Sequence, residues 1–140
     1  MSNIIHIFNS TEKRYLPLKK IKAVADKILE DYKILDSKIS IIFLNDFEIQ
    51  KINAQFLNHN FTTDVISFNY NEEQLEGEIY ISVDTAELQA KEYKVSLTNE
   101  VLRLSIHGIL HLLGYEDHTV ENKEKMHNLE EKYLTIILRK

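Results

Sequence analysis

The run Ile39-Ser-Ile-Ile-Phe-Leu44 leaves fewer options than any other part of this chain. It is rich in β-branched residues and apolar on both faces, which suits a strand buried within a sheet. Asn3 to Phe8 reads as a first strand, and Asp64 to Asn69 and Glu78 to Val83 as two more, with Gly77 as punctuation between them. Helical patterns fill the intervals. Pro17 suits a first helical turn, where its missing N–H costs nothing. Ile21, Val24, Ala25, Ile28, Leu29 and Tyr32 then recur at amphipathic spacing. Asn45 with Glu48 resembles a capping box and opens a short helix through about Phe56. Residues 85–94 are helical in composition. Thr98 is expected to cap the next helix, whose Leu102, Ile106, Ile109, Leu110 and Leu113 form an apolar stripe that Gly114 ends. The last helix, from about Glu121, sets Met126, Leu129, Tyr133, Ile136 and Ile137 on one face. Four strands and about five helices in mixed order predict an α+β fold, a four-stranded mixed sheet packed with helices.

Composition narrows the function classes. With three glycines and one proline in 140 residues there is little room for linkers, so residues 1–140 read as a single domain. The absence of cysteine excludes disulfides, thiolate metal ligation and a cysteine nucleophile. A formal net charge of −5 opposes nonspecific coating of nucleic acid, so any RNA contact must come from a local patch. Lys13, Arg14, Lys19, Lys20 and Lys22 form such a patch, without one acid between residues 13 and 25. It is a candidate phosphate-binding surface, although lysine clusters are more often solvated faces. No apolar run approaches a membrane span, and MSNIIHIFNS lacks the features of a signal peptide. A cytoplasmic protein with no membrane partner is expected.

The segment Ser105-Ile-His-Gly-Ile-Leu-His-Leu-Leu-Gly-Tyr-Glu-Asp-His118 carries the chemistry. His107 and His111 are four apart on a predicted helix, so both imidazoles project from one face. Two nitrogens so placed can reach one ion at about 2.0–2.1 Å. Gly114 can adopt the left-handed conformation that reverses the chain. A third ligand just beyond that turn completes a facial set and leaves a fourth position for water. The register favours Asp117, with His118, one residue further on, as the alternative. Zinc proteases of the HExxH type need a glutamate after the first histidine. Gly108 stands there, which argues against a peptidase.

His107-Gly-Ile-Leu-His-Leu-Leu-Gly-Tyr-Glu-Asp117 resembles the signature of the YbeY family of bacterial metal-dependent endoribonucleases. Thr63-Asp-Val-Ile-Ser-Phe68 resembles that family's TDVLSF motif, and Gly77-Glu-Ile-Tyr-Ile-Ser82 its GDIxIS strand, in family order and spacing. The resemblance spans nearly the whole chain. It implies a zinc-dependent, single-strand-specific endoribonuclease acting on precursor ribosomal RNA, notably the 3′ end of the small-subunit species, and in ribosome quality control. It also implies ribosomal partners. Two departures stand out: many members carry histidine where a gapless reading gives Asp117, and arginine where Leu57 stands in Asn53-Ala-Gln-Phe-Leu-Asn-His-Asn60. Arginine would suit phosphate; in its absence Asn58 and His59 are the alternative candidates for substrate contact.

No nucleophile is assigned. A single zinc can polarise a phosphoryl oxygen or acidify a water, and attack by the RNA's own 2′-hydroxyl is an open alternative. Asp64 and His118 are the candidate proton carriers. Asp64 also suits a plain turn before a strand, and Ser67 reads as structural. A second function class is a noncatalytic ribosome-associated protein whose metal only braces the fold. Such a site would be closed by protein ligands, and Asp117 and His118 together could close it. Hydrolysis of another ester or amide is the third.

Overall fold

The computed structural model describes residues 2–11, 15–57, 64–71 and 73–139, with the backbone alone at residues 56 and 57. The elements run β1 (Asn3–Asn9), α1 (Leu18–Asp31), β2 (Ser37–Leu44), α2 (Asp46–Leu57), β3 (Val65–Asn71), β4 (Leu75–Ser82), α3 (Val83–Tyr93), α4 (Leu97–Leu112) and α5 (Val120–Leu138). The strands form one mixed sheet in the order β1-β2-β4-β3, parallel except for the antiparallel edge strand β3. The α+β architecture expected from the sequence is the one observed.

The sheet buries its two faces unequally. Ile39, Ile41 and Phe43 of β2 join Ile79 and Ile81 of β4 in the main core, all essentially inaccessible to water. Burying each such side chain contributes about 1.5–3 kcal/mol. On the opposite face Lys38 is exposed, Ser40 and Ile42 are half-buried, and only Leu44 is sequestered, against Ile49 of α2 and Ile66 of β3. The double-sided burial expected of β2 thus holds at the end that α2 covers.

Helix α4 lies across β3 and β4, and α1, α3 and α5 pack around it. A helix enclosed in this way must be apolar on nearly every side, and Val101, Leu102, Leu104, Ile106, Ile109, Leu110 and Leu112 are all buried. Its approach to the sheet depends on two glycines. A Cβ at Gly108 would stand 2.5 Å from Ile79 Cγ2, and one at Gly77 2.6 Å from the Phe68 carbonyl oxygen and 2.7 Å from Leu112 Cδ2. Gly77 therefore lies inside β4, not between strands as expected, because the close pass of Leu112 is a tertiary demand. Two side chains of β3 fasten the seam: Ser67 Oγ donates to the Gly108 carbonyl (3.2 Å) and Asn69 Nδ2 to that of Leu112 (3.4 Å).

The helix ends follow local chemistry. Asn45 Oδ1 accepts from the Glu48 N–H at 2.9 Å, as expected. The cap of α4 is Ser96, whose hydroxyl accepts from Asn99 N–H, and not Thr98, which sits within the first turn. Thr119 caps α5 in the same way.

Gly108→Ala tests the seam. Alanine gains up to about 1 kcal/mol in helix propensity but must displace Ile79. A net loss of about 1–3 kcal/mol is expected in urea unfolding; an unchanged midpoint would contradict so tight a contact.

Candidate metal centre

The ionisable residues of α4 beyond its first turn fall on one line. Arg103, His107 and His111 are half-buried at successive i, i+4 positions on a helix whose other faces are sealed. Helix α4 then ends in a two-bond reversal: Gly114 N–H donates to the His111 carbonyl (3.0 Å) and Tyr115 N–H to that of Leu110 (3.1 Å). Gly114 has φ +101°, a value that L side chains rarely adopt. The turn aims the Tyr115 carbonyl back at His111 Nδ1, 2.9 Å away. It also swings Asp117 over the helix. A bond between the Tyr32 and Tyr115 hydroxyls (2.8 Å) ties this loop to the C-terminal end of α1.

Three donor atoms converge. His107 Nε2 and His111 Nε2 are 2.9 Å apart, and Asp117 Oδ2 stands 3.5 Å from the first and 3.7 Å from the second. Donors around a tetrahedral ion with bonds of about 2.0–2.1 Å stand about 3.3 Å apart, and these separations bracket that value. The group could hold a metal ion.

Proton bookkeeping points the same way. The Tyr115 carbonyl can only accept, so His111 donates through Nδ1. His107 Nδ1 lies 2.6 Å from Glu130 Oε2 and donates to that carboxylate. Both Nε2 atoms thus present lone pairs to each other at 2.9 Å, an arrangement that calls for a proton or a cation between them. Charge supports it. Glu100 and Glu130 are buried with Arg103 as their shared cation, which leaves one negative charge, and Asp117 adds a second. A divalent ion with neutral imidazoles would offset these two charges, and Asp64 places a further carboxylate within electrostatic reach of His107.

Without metal, the two histidines depart in opposite directions. Burial pulls both down; at His107 the bond to Glu130 and the charges of Glu130, Asp117 and Asp64 outweigh it and hold the pKa above the ordinary value. At His111 burial and the neighbouring His107 prevail, and the pKa lies below that value. The pair is thereby arranged to share one proton.

The structure brings His107, His111 and Asp117 together and leaves His118 exposed, outside the group. Asp64, just before β3, is half-buried; its carboxylate accepts from Val65 N–H (2.8 Å) and Gln89 Nε2 (3.2 Å), and its charge acts on His107. Lys19 and Lys22 are exposed and Lys20 half-buried, all in the first turns of α1. The end of α1 that meets the Tyr115 loop is the other one, about 15–20 Å along the helix axis from these lysines. Lys13, Arg14, Asn58, His59 and Thr63 lie outside the described residues, as does the side chain of Leu57. Gly108 faces Ile79, so no glutamate could stand after the first histidine without breaking the seam. Sequence reasoning passed over Glu100, Arg103 and Glu130. Arg103 was legible as the preceding i, i+4 position, and Glu130 as an acid in register with Met126, Tyr133 and Ile137.

The two shifts fix a pH dependence. A raised His107 pKa contributes stability that is present below the unfolded value of about 6.5 and lost as pH rises through the folded one. The lowered His111 pKa contributes stability present above that value and lost as pH falls through the folded one. In chelator, the stability of the wild type relative to a His107→Gln/His111→Gln variant is expected to peak near pH 6.5, roughly, and to decline on both sides. Thermal melts across pH check this; a monotonic difference would contradict it.

Residues 6–137 match the family model described as Endoribonuclease YbeY. Proteins named Endoribonuclease YbeY from Chloroherpeton thalassium and Endomicrobium trichonymphae are each 40% identical, covering 94% of this chain and 94% and 91% of their own lengths. The solution structure of TM1509 from Thermotoga maritima superposes with a TM-score of 0.68 at 30% identity, over 96% of this chain and 89% of that one. The chain belongs to the YbeY family of endoribonucleases.

Proposed function

We propose that residues 1–140 form a single zinc-dependent endoribonuclease domain that cleaves single-stranded segments of precursor ribosomal RNA. The observation that carries this reading is the convergence of His107, His111 and Asp117 on one point at separations of 2.9–3.7 Å, in a chain whose relatives are named endoribonucleases. Maturation of the small-subunit RNA 3′ end, ribosome quality control, association with ribosomal proteins and a cytoplasmic setting belong to the same proposal, on the strength of the family resemblance. Among the described residues no helix is long and apolar enough to cross a membrane.

In this mechanism His107 and His111 would hold zinc through Nε2 while their Nδ1–H groups donate to Glu130 and the Tyr115 carbonyl. Asp117 supplies the third donor and offsets one positive charge. When bound, zinc supplies Lewis-acid polarisation of a phosphoryl oxygen or an acidified water. Asp64 is the better oriented of the two proton-transfer candidates, because Val65 N–H and Gln89 fix its carboxylate near His107. His118 stands free at the surface and serves as the second. Lys19, Lys20 and Lys22, in the first turns of α1, serve as candidate contacts for the RNA backbone.

Metal content and cleavage test the proposal together. Protein purified without chelator is expected to hold about one zinc per chain and to cut single-stranded RNA in preference to duplex. His111→Ala, expected to hold almost none, should lose at least about 100-fold in cleavage rate. Undiminished cutting by His111→Ala, or by chelator-stripped wild type, would overturn it.

A further inference from the structure

Glu130 occupies a place where chain stability alone favours an apolar side chain. It lies on the face of α5 that carries Met126, Tyr133 and Ile137 into the core, and it is 3% exposed. Replacing a buried ionic group by a well-packed apolar one is often neutral or stabilising, so a carboxylate kept here needs another account. Its two oxygens are divided between two partners: Oε1 accepts from Arg103 Nη1 at 3.1 Å and Oε2 from His107 Nδ1 at 2.6 Å. Arg103 is fixed in turn, because its Nε and Nη2 both donate to Glu100, which is fully buried one turn earlier on α4. The planar guanidinium thus joins two carboxylates in one rigid plate. Both carboxylate oxygens of Glu130 are thereby engaged.

We infer that Glu130 is the positioning residue of this centre: backed by Arg103 and Glu100, it fixes the ring orientation and tautomer of His107 so that Nε2, and not Nδ1, is offered to the metal. The inference rests on the metal-binding reading above and adds to it a residue from a different helix. Its physical basis is general. A carboxylate that accepts the remote N–H of a ligating imidazole selects the tautomer, holds the ring and strengthens the donor nitrogen. A clamp completed by the fold before metal arrives removes that ordering cost from the binding step. A merely structural Glu130 would brace α5 against α4 and leave the tautomer and the metal affinity alone.

The test compares wild type with Glu130→Gln and Glu130→Asp. The first keeps the length and loses the charge, and the second keeps the charge and draws the carboxylate back by one methylene. Zinc affinity is measured by chelator competition, and the His107 tautomer by ¹⁵N NMR of metal-free protein at alkaline pH. Expected are an Nδ1–H tautomer at His107 in the wild type, a shift toward Nε2–H in the variants, and zinc affinity lower by about 10–100-fold in both. Wild-type affinity in both variants, or an Nε2–H tautomer in wild type, would overturn the inference. If Glu130→Gln does not fold, Glu130→Asp and the wild-type tautomer decide it. A wild type that takes up no zinc would defeat the proposed function instead, while the metal-free tautomer still reads the clamp on its own.

Discussion

Helix α4 is enclosed by the sheet below and by α1, α3 and α5 around it, and the rest of the molecule is arranged to make that enclosure possible. Gly108 and Gly77 let it press onto β4, while Ser67 and Asn69 hold its C-terminal half to the edge strand. The cost of such burial is that no polar side chain can sit on it unsatisfied. Beyond the first turn, polar side chains on the one unsealed line are therefore either tied into ion pairs, as Arg103 is, or converge on a common point, as His107 and His111 do. Rigidity follows. A ligand pair on a buried helix keeps its spacing without help from loops, and a site built on such an element is more exact than one on a loop.

The electrostatics extend this constraint. Two buried acids share one arginine, and the surplus negative charge lies beside two imidazoles whose free nitrogens face each other. Neither feature is comfortable alone. A cation between the nitrogens would relieve both, so the charge pattern as well as the geometry suits a metal ion. The loop after α4 supplies the remaining donor through local backbone rules: a left-handed Gly114, a reversed Tyr115 carbonyl and then Asp117.

Much of this was legible in the sequence because it is local. The i, i+4 histidines and the glycine three residues later encode one helix face and one reversal, which needs no knowledge of the fold. The choice between Asp117 and His118 was open because a shift of one residue after a turn changes which side chain points inward, and only the turn's geometry separates them. Gly77 was misplaced between strands because the reason for a glycine there is the approach of Leu112, from a helix over thirty residues later. The cap of α4 was assigned to Thr98 and not Ser96, since either hydroxyl satisfies the local rule. Glu130 was passed over for the same reason as Gly77: its partners Arg103 and His107 reach it only when α5 docks, although an acid at an apolar register position was itself a sign.

The most direct test of this account is the zinc-edge X-ray absorption spectrum of the metal-loaded wild type. Two imidazoles are expected in the first coordination sphere, with the remaining donors oxygen, as His107, His111 and Asp117 require. A sphere containing three imidazoles would bring in His118 and contradict the assignment, and so would one containing a single imidazole.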